Sequence, residues 1–231
     1  MMVGRLARKL KRLVRGSGPQ TTNNEGSKQA LDLYWDPEMA EVLETWGYGN
    51  AWSEIQFLLA TNRGRVLDIA CGTGKVMEIL KKFRHLELYG CDISDFLIEK
   101  AVARGLDPKL LKVCDATRTG YENAFFDYSY SIGSLEHFTE DGIVAFLKEA
   151  RRITKQASFH QIPTSRKDNE GWISPYQSYF NNTVEWWLPK FDSVFPEVIV
   201  LPSSWSDDRS VGMWFVCFSE PISRVSESSN S

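Results

Sequence analysis

The stretch VLDIACGTGKV at residues 66–76 constrains the fold more than any other part of the chain. It carries four apolar residues, Val66, Leu67, Ile69 and Ala70, around an acid, Asp68, and runs into a glycine-broken turn. In an open α/β sheet a ligand binds beyond the carboxyl ends of the strands, where the first strand turns into its helix. Gly72 and Gly74 sit at that point. Without side chains they let the backbone pass close to a ligand and take positive φ angles, and the N-terminus of the following helix offers unpaired N–H groups.

The pattern around this turn alternates helix and strand. The spacing predicts a helical stretch near 37–62, a strand at 65–70, a helix at 74–84, a strand at 87–91 and a helix near 95–104. Strands at 110–114 and 126–132, a helix at 140–155 and a strand at 157–162 follow. Such alternation implies a doubly wound, mostly parallel α/β sheet of seven strands. The apolar runs VIVLP at 198–202 and GMWFVCF at 212–218 are read as a terminal antiparallel hairpin that completes it. A chain of 231 residues, 42% of them hydrophobic, accommodates one main domain, here residues 30–222. Residues 16–29 read as a flexible linker and 223–231 as a loose tail.

Three further features narrow the ligand. A dinucleotide fingerprint needs a third glycine where Met77 stands, and a Walker A loop needs Ser or Thr after its lysine, whereas Lys75 is followed by Val76. Asp68 is an awkward neighbour for a pyrophosphate and a suitable one for a cationic amino group. Asp92 ends the second strand, where a carboxylate can accept both hydroxyls of a ribose, and Asp115 ends the third, where it can accept from the exocyclic amine of a purine.

With LDIACGTG at its first turn and SLEHF after its fourth strand, the chain resembles the class I S-adenosylmethionine-dependent methyltransferases over residues 64–162. The resemblance implies S-adenosylmethionine as cofactor and S-adenosylhomocysteine as product. It implies that the first loop, with Asp68, Ala70, Gly72 and Gly74, cradles the methionine part, that Asp92 holds the ribose and that Asp115 or its neighbour Ala116 meets the adenine, with Ile93 and Ile132 also at the cofactor. Enzymes of the family that N-methylate nucleic acids commonly carry NPPY or DPPY after the fourth strand; this chain has IGSLEHF.

Methyl transfer from a sulfonium is an in-line displacement, so the enzyme positions the acceptor and, for a hydroxyl, removes its proton. Glu136 and His137 follow the fourth strand at the same sheet edge as the three aspartates and are the catalytic candidates, with His137 the better base because an imidazole titrates near neutrality. A structural histidine holding the loop is the alternative. His160, in the fifth strand, is expected to approach the site from the strand's C-terminal end. The aromatic insertion at 165–192 falls where acceptor specificity is built in such proteins. There Trp172, Tyr176 and Tyr179 are assigned to the acceptor pocket and VEWWLPKF to packing. Tyr34, with Trp35, closes over the site from the N-terminal side.

Composition bounds the rest. Four cysteines without a CxxC pair argue against a zinc ribbon or a disulfide framework, and no His, Cys and carboxylate cluster has metal-ligand spacing. A reducing, cytoplasmic setting is expected. Residues 1–15 carry six Arg or Lys and no acid, leaving 21 basic against 30 acidic residues, or −9, in the remainder. Val3, Leu6, Leu10 and Leu13 recur there at helical spacing, which reads as an amphipathic basic helix for an anionic membrane surface or a partner protein. The acidic remainder disfavours nucleic acid. The expected function is O-methylation of a sugar, glycan or other small-molecule hydroxyl, at the membrane surface. The alternatives are a cofactor-binding scaffold without chemistry, a nicotinamide oxidoreductase, which lacks its third glycine, and an aminopropyl transferase, which would want acids where the pocket candidates are aromatic.

Overall fold

The computed structural model describes residues 29–174 and 177–222. The basic segment 1–15, nearly all of the linker and the tail at 223–231 lie outside the described residues, as does Tyr176. Five strands run parallel: β1 (Gly64–Ile69), β2 (Leu86–Asp92), β3 (Leu111–Val113), β4 (Phe126–Ile132) and β5 (Thr154–Ser165). The short strands β6 (Trp172–Ile173) and β7 (Tyr179–Phe180) form a separate ribbon, and β8 (Glu197–Ser206) and β9 (Ser210–Phe218) make the antiparallel hairpin. The main sheet has seven strands in the order β3-β2-β1-β4-β5-β9-β8. This is the doubly wound, mostly parallel sheet with a terminal hairpin that the sequence implies.

Side chains alternate along each strand, so the sheet carries a core on each face. Val66 on β1 and Trp214 and Val216 on β9 face one core, with Trp52, Ile55 and Leu59 of α2 (Ala51–Leu59) and Met77 and Leu80 of α3 (Lys75–Leu80). Leu67, Phe215 and Cys217 face the other, with Phe146, Leu147 and Ala150 of α5 (Glu140–Ile153) and Trp187 and Phe191 of α6 (Val184–Asp192). Phe191 stacks on Phe215 with ring centroids 4.3 Å apart. Between these helices, α4 (Asp95–Ala103) follows β2 and packs Ile98 and Ala101 into the first core.

Helix ends follow local chemistry. Ser94 Oγ accepts from Leu97 N–H to start α4, and Thr139 Oγ1 accepts from Gly142 N–H to start α5. The latter helix places Glu140 and Asp141 in its first turn and Arg151 and Arg152 in its last, complementing the helix dipole.

Two differences from the sequence reading bear on the site. The stretch at 37–62 is two helices, α1 (Pro37–Leu43) and α2. Gly49 at φ +80° breaks it, Asn50 Oδ1 accepts from Ala51 N–H at 2.6 Å to restart it, and Gly47 lies so near the Trp52 ring that a Cβ would come within 2.2 Å of it. The fifth strand reaches Ser165 rather than 162, paired residue for residue with β9.

Candidate active site

A cavity of about 460 Å³ opens at the carboxyl ends of β1, β2 and β4, a volume suited to a cofactor or small ligand. Its floor is the first turn. Ala70 takes φ +59° and Gly72 φ +54°, so the backbone curls back under the cavity. Asp92, buried at the end of β2, fixes that curl: Oδ2 accepts from Gly72 N–H and Oδ1 from Ser94 N–H, both at 2.9 Å. Burial pushes the Asp92 carboxyl up, and these backbone donors oppose the rise. A carboxylate has about four lone-pair positions, so two remain for a diol in the cavity.

Of the residues expected to hold the cofactor, Ala70, Gly72, Asp92, Ile93, Asp115, Ala116 and Ile132 line the cavity together. Asp115 Oδ1 accepts from both the N–H and the hydroxyl of Thr117 at 2.7 Å, which fixes its carboxylate at the rim. Asp68 and Gly74 are placed elsewhere. Asp68 is buried behind the wall, where Tyr130 O–H donates to it at 2.8 Å; burial pushes its carboxyl well up, and the Tyr130 bond opposes this. Gly74 caps α3, and a Cβ on it would come within 2.4 Å of Leu106 Cδ1. Its glycine serves helix packing.

The opposite wall comes from the turn after β4, Leu135–His137, and from the start of α5. Glu136 and His137 both line the cavity. His137 Nδ1 lies 2.7 Å from the carbonyl of Ser178, and a carbonyl only accepts, so Nδ1 carries the proton and Nε2 keeps its lone pair. Burial pulls His137 down to about 4, against the Ser178 bond, so the ring is neutral. Glu136 lies with Oε1 3.7 Å from His137 Nε2, while its Oε2 has no hydrogen-bond partner among the described residues. Burial pushes its carboxyl up to about 8.

The aromatic acceptor wall expected from the insertion is not built as expected. Trp172 packs edge-on against Phe180 at 4.8 Å in the second core and does not reach the cavity. Tyr179 stands 6.3 Å from the His137 ring, backing the wall rather than forming it. His160 is fully buried in mid-strand, between Phe146 and Phe191, with Nδ1 2.8 Å from Ser131 Oγ and Nε2 3.1 Å from Ser158 Oγ. Because β5 continues to Ser165, position 160 lies well inside the sheet and cannot reach a ligand.

Tyr34 does line the cavity, and its neighbours Leu31, Leu43 and Trp46 from the N-terminal segment join it. Its carbonyl accepts from Ser94 Oγ at 2.7 Å, its hydroxyl accepts from Gln177 Nε2 at 3.1 Å, and burial pushes that hydroxyl up. Trp46 and Gln177 have no sequence signal of their own, although Gly47 and Gly49 just after Trp46 mark a tight turn. Gly133 at φ +63° is what admits Trp46, since a Cβ there would come within 2.7 Å of its ring.

Residues 66–157 match the family model described as a methyltransferase domain. The match takes in about two fifths of the chain, and the sheet around it has the class I methyltransferase fold. Among curated proteins, a demethylmenaquinone methyltransferase of Thermotoga maritima is 29% identical over 158 residues, 65% of each chain. A probable tRNA methyltransferase 9B of Bos taurus is 34% identical over 106 residues, 45% of this chain. The match spans only 22% of the bovine protein. Among solved structures, the methyltransferase domain superposes on Burkholderia thailandensis 1,6-didemethyltoxoflavin-N1-methyltransferase, whose crystals hold its substrate and S-adenosylhomocysteine. That pair has a TM-score of 0.63 at 14% identity, covering 87% of this chain and 99% of the other. A methyltransferase of Methanosarcina mazei gives 0.61 at 16% identity over 71% and 96%. At these identities the superpositions establish the fold.

Proposed function

We propose that this chain transfers a methyl group from S-adenosylmethionine to a hydroxyl of a small molecule, of sugar, glycan or quinol type. The observation that carries the reading is the neutral His137 on the cavity wall, its Nε2 lone pair free while Nδ1–H is held by Ser178. The wall across from it suits the cofactor: Asp92 has lone pairs left for two hydroxyls, Asp115 stands at the rim for an amine, and Ala70 and Gly72 keep the floor free of bulk. Bound there, the cofactor supplies a methyl group on a positively charged sulfur.

The residues of this chain then act on the acceptor. His137 Nε2 accepts the hydrogen bond of the acceptor hydroxyl and takes its proton as the new bond forms. Its depressed basicity keeps it unprotonated at neutral pH. Leu31, Trp46 and Phe138 supply apolar wall, which excludes water from the reacting atoms. The carboxyl groups around the cavity oppose a polyanionic acceptor such as the tRNA named for the bovine relative. Residues 1–15 would bring the domain to an anionic surface, and their deletion should abolish co-sedimentation with anionic vesicles.

Calorimetric titration with S-adenosylmethionine, S-adenosylhomocysteine and NAD tests the cofactor. Micromolar binding of the first two and none of the third is expected; the reverse ranking would end the proposal. Asp92→Ala should weaken binding of S-adenosylhomocysteine by about 1.5–3 kcal/mol, and unchanged affinity would remove Asp92 from the site. In an acceptor screen with labelled methyl groups, His137→Ala should lower turnover by about 100-fold or more and leave cofactor affinity intact.

A further inference from the structure

The charged groups on the cavity wall have one sign. Asp92, Asp115, Glu136 and Asp141 line it, and no lysine or arginine does among the described residues. Asp92 and Asp115 lie on the side assigned to the cofactor, where backbone and hydroxyl donors already reach both oxygens of Asp92 and Oδ1 of Asp115. Glu136 and Asp141 lie on the acceptor side, at the turn after β4 and the first turn of α5. Glu136 differs from the other three. Its side chain is 3% exposed, its Oε2 has no partner among the described residues, and its near neighbour, His137 Nε2, is itself an acceptor. A buried acid with an oxygen left unpartnered is an incomplete arrangement, and a donor that carries positive charge would complete it.

Building on the methyl-transfer reading, we propose that Glu136 is the recognition residue for an ammonium group on the acceptor, so that the methylated molecule bears both a hydroxyl and a protonated amine. The hydroxyl takes His137 Nε2 and the amine takes the Glu136 carboxyl once its buried oxygen turns into the cavity, a division that the two adjacent side chains make within one turn. Asp141, at the exposed mouth of the cavity, adds a second negative charge along the way in. Phosphorylated, sulfated or carboxylated acceptors meet only like charge and are rejected, which is specificity by repulsion as well as by fit. Glu136 enters the complex as a protonated acid and leaves its proton to solvent when the ammonium arrives, so the bound pair is carboxylate and ammonium with one proton released.

Three phenols that share a ring and a hydroxyl but differ in tail charge test this: tyramine, 4-ethylphenol and 4-hydroxyphenylacetate, titrated at pH 7 into the full chain saturated with S-adenosylhomocysteine. Tyramine should bind about tenfold or more tighter than 4-ethylphenol, as a charged hydrogen bond would give, with 4-hydroxyphenylacetate weakest. Its binding enthalpy should vary with the ionisation enthalpy of the buffer, reporting the released proton. Glu136→Gln should reduce tyramine to the affinity of 4-ethylphenol and remove the buffer dependence. The proposal is overturned if 4-hydroxyphenylacetate binds as tightly as tyramine, if the preference survives Glu136→Gln, or if none of the three binds with S-adenosylhomocysteine in place. Absence of S-adenosylhomocysteine binding itself would instead strike the methyl-transfer reading on which the acceptor argument rests.

Discussion

Ala70 sits in the left-handed region, at φ +59°, on the floor of the cavity. An L-residue with a Cβ pays for that conformation, whereas glycine adopts it freely. Ala70→Gly should therefore raise stability by up to about 1 kcal/mol, read as a higher midpoint in urea unfolding; a lower midpoint would mean that the Cβ is needed for packing. Two buried acid–base groups give pH signatures of opposite sign. Glu136 has its carboxyl raised from 4.5 to about 8, so the folded protein keeps a proton that the unfolded chain releases. Its contribution is full below pH 4.5 and is lost as pH rises toward 8, at up to about 1.4 kcal/mol per pH unit relative to Glu136→Gln. His160 is lowered by burial from 6.5 to about 3, so it favours folding above pH 6.5 and costs a similar amount per unit as pH falls below that, relative to His160→Gln. Unfolding curves of each variant and the parent between pH 4.5 and 8 should diverge in these two directions. Parallel curves would show that the side chains titrate as they do in water.

At the level of elements, a single side chain ties the first turn to the segment that covers it. Arg104, just past α4, donates from Nε to the Thr73 carbonyl at 3.0 Å and from Nη1 to Glu78 at 2.9 Å, and pairs with Glu44 at the end of α1. The glycine-broken turn, α3 and the N-terminal segment thus share one guanidinium. Arg104→Ala should weaken S-adenosylhomocysteine binding although residue 104 does not line the cavity, and should speed amide exchange at residues 72–75 more than in β4. Equal exchange in both would make Arg104 a surface residue without that role. Glu54 performs a comparable task at the far side of the sheet. It accepts from Ser203 Oγ, Ser204 N–H and Trp214 Nε1, which fastens the edge strand β8 to α2. Neither device is visible in the sequence, because each joins residues more than 25 positions apart through side chains of ordinary type. What periodicity does reveal is the order of the elements, since α5 buries one face at helical spacing and the buried strands β1, β2, β4 and β5 alternate with helical segments. It fails at 37–62, where apolar spacing runs on through a turn that only the glycines interrupt, and at His160, whose role depended on where β5 stops.

For the molecule as a whole, the sheet order and the carboxyl-edge cavity were legible because a glycine turn, Asp92 and Asp115 fall at successive strand ends. The acceptor side was not. Aromatic residues in the insertion read equally well as pocket or as core, and the protein uses Trp172, Trp187 and Phe191 as core, while polar residues of the β4–α5 junction form the wall. Composition reports how much apolar surface must be buried and leaves open where. One contact has a kinetic meaning. The hydrogen bond between Tyr34 and Gln177 joins residues 143 positions apart, from the N-terminal segment on one side of the cavity and the insertion on the other. While it holds, the two banks are stitched together over their contents, so cargo passes only in the intervals when the stitch is undone. The parent enzyme should slow as sucrose thickens the solvent, and Tyr34→Phe, which lacks the hydroxyl, should lose much of that dependence and release S-adenosylhomocysteine faster. A response identical in both would relieve the Tyr34–Gln177 bond of that role, and no response in either would place the slow step in the chemistry. Where Tyr34→Phe loses the response, turnover is a property of Tyr34 and Gln177 as much as of the groups around the methyl, with the gatekeeper setting the clock.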